Sequence, residues 1–151
     1  MTNNPVPPGN AGTGPSGARP ASLAVTITDQ TGDGRVAARL TLDSVAGRIT
    51  LRDLVRTRVR EEVARYNARQ GSVFAGLVMP DGATPARGGY RMPRPRRIDW
   101  EEQARQAVKA FERNGFFVLV DDRQVTELDE ELMLTADSDI RFIRLVQLAG
   151  G

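Results

Sequence analysis

Few groups in this chain can do covalent chemistry. The 151 residues include no cysteine and no histidine, which removes thiol nucleophiles, imidazole bases, disulfides and the usual zinc ligands together. All but one of the 21 basic residues are arginines, and the exception is Lys109. An arginine guanidinium keeps its proton near neutral pH, whereas a lysine amine can accept an acyl group. Lys109 and the N-terminal amine are therefore the candidate acceptors. The adjacent carboxylates of Asp121 and Asp122 read as turn residues with no partner base. What remains is RFIRLVQLAGG, residues 141–151, where an alternating apolar run gives way to Gly150 and Gly151. A glycine pair lets the backbone pass close to a protein wall. From Val146, six residues at 3.3–3.6 Å each reach roughly 20 Å. A frayed terminus is the plainer reading of the same residues.

Whatever these groups do, the elements before them must position them. Residues 1–22 hold five of the nine prolines and four glycines, too little apolar surface to offset ordering entropy, so a disordered leader is expected. From Leu23 the pattern alternates: Leu23, Val25 and Ile27, a TGDG turn at 31–34, then Val36, Ala38, Leu40 and Leu42. That predicts a β-hairpin with one buried face. Thr50 and Asp53 form a capping-box pattern ahead of Leu51, Leu54 or Val55, Val59, Val63 and Tyr66. The spacing predicts an amphipathic helix to about Arg69. Residues 70–98 keep neither period and read as an inserted loop. Asp99 then caps a second helix striped by Trp100, Ala104, Ala107 or Val108 and Phe111, ending at Asn114-Gly115. A short buried strand at 116–120, a turn at 121–124 and a brief return strand at Val125 follow. LDEELML, 128–134, can supply a turn or one short helical turn. A last strand runs from about Asp139 to Val146, with Ile140 and Phe142 on one face and Ile143 and Leu145 on the other. The expected class is α+β, one mixed sheet packed against helix.

A net charge of +2 names no partner. No apolar run approaches the 18 residues of a membrane span, and the N-terminus lacks an apolar signal core, so a soluble cytoplasmic protein is expected. ARGGYRMPRPRR, residues 86–97, groups Arg87, Arg91, Arg94, Arg96 and Arg97 around Tyr90 with no acid among them. Arginine interleaved with an aromatic is a footprint of phosphate contact and base stacking. A solvated loop is the commoner origin of such a run, and nucleic acid is not the expected partner.

The strand and helix order, with a free last strand leading into Gly150-Gly151, resembles the β-grasp proteins: the ubiquitin-like modifiers and the sulfur carriers of molybdopterin and thiamine synthesis. ITLRDLVRTRV, 49–59, is similar to the helix start that follows their first hairpin. VLVDDRQVTELDEELMLTADSDIRFIRLVQLAGG, 118–151, is similar to their C-terminal half. The resemblance covers about 23–69 and 116–151. It implies a β-grasp domain at 23–149, interrupted by an insertion at 70–115, with a tail at 147–151 formed by Gln147, Leu148, Ala149, Gly150 and Gly151. It also implies that the chain is no enzyme, has no metal or cofactor of its own and no membrane role. A partner activating enzyme would use ATP to adenylate the terminal carboxylate, turning a poor electrophile into an acyl phosphate. A bacterial protein modifier would then be joined through Gly151 to amines of target proteins by an isopeptide bond. A conjugating enzyme and a processing protease accompany the activating enzyme where such a system is complete. A sulfur carrier with a terminal thiocarboxylate, or an interaction domain with an inert tail, are the alternatives. By the same resemblance Leu119 and Ile143 form a candidate docking patch on the outer sheet face. Trp100 and Phe111 need something to pack against, so the inserted helix is expected to cover it.

Overall fold

The alternating residues that open the domain pair as their period requires. The computed structural model describes residues 22–69 and 71–145. Residues 1–21 of the leader and the tail residues Gln147, Leu148, Ala149, Gly150 and Gly151 lie outside the described residues. In chain order the elements are β1 (Ser22–Thr31), β2 (Val36–Ala46), β3 (Arg48–Thr50), α1 (Leu51–Arg69), β4 (Val73–Phe74), β5 (Thr84–Ala86), β6 (Gly89–Arg91), α2 (Trp100–Glu112), β7 (Phe116–Val120), β8 (Arg123–Val125), β9 (Glu131–Met133) and β10 (Ile140–Arg144). Ser22, assigned to the leader by composition, is already the first residue of β1. The main sheet has five strands in the order β2-β1-β10-β7-β8. β1 and β10 run parallel, with Ile27 opposite Ile140, and the other pairs are antiparallel. The protein is thus a mixed α+β fold with a mixed sheet and two helices.

Val25, Ile27, Leu42 and Val45 of the hairpin are buried, and the turn closes with Gly34 at φ +86°, where glycine is strain-free. Val36 and Ala38, expected on the buried face, are exposed, because a cleft opens beside this end of β2. The cap of α1 is the one its sequence implies: the Asp53 N–H donates to Thr50 Oγ1 at 3.1 Å. Leu51, Leu54, Val55, Val59, Val63 and Tyr66 are buried along its inward face. Two strands escape the periodicity reading. β3 lies immediately before α1 and pairs with β9, so LDEELML contributes a strand where a helical turn was the expectation. Leu132 and Leu134 are buried as a result.

The insertion is built rather than loose. β4, β6 and β5 form a small three-stranded sheet, and Phe74, Leu77, Ala83, Met92 and Ile98 join the main core. Phe74 meets Tyr66 of α1 edge to face at 5.5 Å. Gly89 permits this: at φ +152° a Cβ there would fall 2.2 Å from the Phe74 carbonyl oxygen. α2 begins where Asp99 accepts from the Glu101 N–H at 3.0 Å. Gln103, Ala104 and Ala107 are buried on it. Small residues there let α2 lie close along α1, and Asn114 at φ 60° ends the segment.

Candidate functional site

The last strand is anchored by charge as well as by pairing. β10 closes with Arg144, whose Nη2 donates to Asp29 Oδ2 at 3.2 Å. Asp29 lies at an inward-facing position of β1 and is buried, so it needs a cation. Arg58 of α1 supplies one, donating from Nη1 and Nη2 to the two carboxylate oxygens at 2.5 and 2.6 Å. Its Nε donates to Glu62 Oε1 at 2.5 Å, and Glu62 Oε2 accepts the Leu77 N–H at 2.9 Å. Four charged side chains therefore tie β1, β10, α1 and the insertion at one point. The Arg58 guanidinium also lies 4.6 Å from the Phe142 ring centroid. Burial pushes the Glu62 carboxyl above its ordinary range, against the pull of Arg58. Arg144 Nε is buried and has no hydrogen-bond partner among the described residues.

This network forms the floor of a cleft of about 570 Å³ between the β2 edge, the second half of α1 and the insertion. Ala38, Leu40, Arg65, Arg69, Gly76 and Gly89 are among its walls. The strand ends at this corner with Arg144, short of the Val146 read from the sequence, and Leu145 after it is exposed. The ionic network fixes the end of β10 against β1 and α1.

Of the other sequence-predicted residues, Ile143 directly precedes Arg144 on β10, whereas Lys109 and Leu119 lie on α2 and β7. Lys109 is exposed on α2, and no ion pair involves it among the described residues. Leu119 and Ile143 are half-buried on neighbouring strands. In register, Leu119 faces Arg141 and Ile143 faces Phe117. Alternation puts Phe117, Leu119 and Ile143 on the face opposite Val118 and Phe142. The expectation that the inserted helix covers them fails. α2 packs on α1, with Trp100 beside Arg56 and Arg60 and Phe111 against Phe116 on the inward face. Its aromatics are satisfied there, and the outer face keeps its three apolar side chains.

The sequence reading missed Asp29, Arg58 and Glu62. A signal was present: Arg58 and Glu62 occupy stripe positions beside Val59 and Val63, one turn apart, which would place opposite charges on the buried side of the helix. No family model, curated protein or solved structure matches the chain. Among the described residues no helix is long and apolar enough to cross a membrane.

Proposed function

We propose that this chain is a ubiquitin-like protein modifier of β-grasp fold, joined through the Gly151 carboxylate to target amines by an ATP-using activating enzyme in the cytoplasm. The observation that carries the reading is the sheet order β2-β1-β10-β7-β8. The final strand lies between the first strand and β7, parallel to the first, after a hairpin and a crossing helix. A hairpin, a crossing helix and a last strand come in the chain order on which the β-grasp resemblance rests. The strand that precedes Gly150-Gly151 in sequence is paired on both sides and pinned by Arg144 to Asp29, which supports the reading. The outer-face residues Phe117, Leu119 and Ile143 give a partner enzyme an apolar surface to read.

The chemistry would belong to the partner. A carboxylate oxygen of Gly151 attacks the α-phosphorus of ATP and pyrophosphate leaves. The acyl adenylate then passes its acyl group to a thiol or directly to a target amine, releasing AMP. This chain contributes a narrow backbone, since glycine offers no Cβ to the walls of an active-site channel. An intact-mass measurement after incubation with ATP and a candidate activating enzyme tests the proposal. Higher-mass conjugates are expected. A single sulfur-for-oxygen exchange would instead mark a sulfur carrier, and an unchanged mass an interaction domain with an inert tail.

A further inference from the structure

A second feature stands apart from the tail, at the groove between α1 and α2. Trp100 opens α2 and is half-buried. The guanidinium carbons of Arg56 and Arg60 each lie 5.4 Å from its ring centroid. These arginines are one turn apart on α1, about 6 Å along its axis. Arg60, Arg97 and Trp100 line a groove of about 430 Å³ together with Val63, Ala64 and Asn67, and Arg56 lies outside that lining, reaching the site only through the Trp100 ring. Asn67 explains why Arg97 and Trp100 are held there. Its Nδ2 donates to the Ile98 carbonyl at 3.0 Å, and its Oδ1 accepts the Ile98 N–H at 2.9 Å. This clasp fixes the end of the insertion to α1.

The charges in the groove are unbalanced. On the same helix Arg52 pairs with Asp129, Arg58 with Asp29 and Glu62, and Arg65 with Glu61. Among the described residues Arg56, Arg60 and Arg97 make no ion pair. Of the acids nearby in sequence, Glu61 is held by Arg65, Asp99 caps α2 and Glu102 is held by Arg105 and Gln106, while Asp53, one turn before Arg56, is exposed and makes no ion pair among the described residues. Glu101 is exposed at the margin.

We propose that this groove binds single-stranded nucleic acid, independently of the modifier reading. Arginine forks match phosphate oxygens, and two of them one helical turn apart can follow successive phosphates of an extended strand. A half-exposed tryptophan adds a surface on which an unpaired base can stack. An acidic peptide would use the cations and leave the indole without a planar partner. A duplex would hide its base faces inside the helix. The arginine run at 86–97, which the sequence alone left as a solvated loop, thereby contributes Arg97, while its other arginines lie outside the groove lining.

Trp100 is the only tryptophan, so its emission reports directly on the site. The test titrates the full chain with a 12-nucleotide oligothymidylate, following Trp100 fluorescence and, in parallel, the anisotropy of the labelled oligonucleotide. Saturable quenching is expected, with the logarithm of affinity falling by about 0.7 per phosphate contact for each decade of salt. The Arg56→Gln/Arg60→Gln variant should flatten that slope by about 1.4. Trp100→Ala, read by anisotropy, should weaken binding by about 5-fold or more while keeping the salt slope. Matching thermal unfolding of each variant and wild type excludes a folding defect, and the wild-type salt slope is read without any variant. Absence of quenching, equal binding of polyglutamate or of duplex DNA, or a salt slope unchanged in the double variant would overturn the proposal.

Discussion

Arg58 and Asp29 meet fork to fork, two guanidinium nitrogens on two carboxylate oxygens at 2.5 and 2.6 Å, with both side chains almost wholly out of water. A buried pair of this kind holds elements in register more than it adds stability, because desolvation consumes much of the attraction. Breaking it is another matter. Arg58→Met leaves Asp29 and Glu62 as two buried acids, relieved only by Arg144. A loss of about 3–5 kcal/mol is expected in urea denaturation. Replacing all three by apolar residues should recover most of that loss. A single variant as stable as wild type would show that Arg144 alone suffices.

Glu62 sets a dependence on pH. Its folded-state pKa is raised above the ordinary 4.5 by burial, so protonation favours the folded state. The contribution of this group is complete below 4.5 and is lost as pH rises through the higher folded value. The stability difference between wild type and Glu62→Gln should therefore shrink from acid toward neutral pH. A difference that grows over that window would mean that Arg58 governs the carboxyl.

The two faces of β10 should answer differently to truncation. Phe142 is fully buried and stacks on Phe116 at a centroid distance of 5.6 Å beneath Arg58. Phe142→Ala should cost about 3–5 kcal/mol. Ile143 is half-buried on the uncovered face, and Ile143→Ala should cost about 1 kcal/mol or less while weakening capture by an activating enzyme. Equal losses in thermal unfolding would place a cover on that face.

If the Gly151 carboxylate is the acyl donor, Gly150→Val should reduce ATP–pyrophosphate exchange catalysed by an activating enzyme. A valine Cβ that displaces the carboxylate by about 1 Å costs on the order of a hundredfold in rate. Lys109→Arg should leave exchange unchanged and remove internal self-linkage, read on a gel as loss of multimers not joined at the N-terminal amine. Wild-type exchange by Gly150→Val would sink the carboxyl-tail mechanism.

The parts of the fold that were legible in the sequence are those where one period runs long enough to be read. β1, β2, α1, α2, β7 and most of β10 each carry several apolar residues at strand or helix spacing. β3 and β9 are three residues each and pair across more than eighty residues, so neither carries a local signal. The insertion strands are two or three residues long and depend on close approaches such as Gly89 to Phe74. The ionic anchor under Arg144 was hidden for a different reason. Asp29 looks like an ordinary polar residue near a turn, and only the pairing of β1 with β10 and the placement of α1 reveal what it faces. Lys109 is a candidate acceptor by elimination of other nucleophiles, a reading that uses no structure.

The parallel pairing of β1 with β10 has a consequence for birth on the ribosome. Ile27 cannot meet Ile140 until more than a hundred further residues have been made. At about 5–20 residues per second that is a delay on the order of ten seconds. During it the hairpin exists with one flank of β1 open and its apolar side chains Val25 and Ile27 uncovered by the finished sheet. A nascent chain in that condition is a natural client for a holdase, and stalling translation before residue 140 would trap it there.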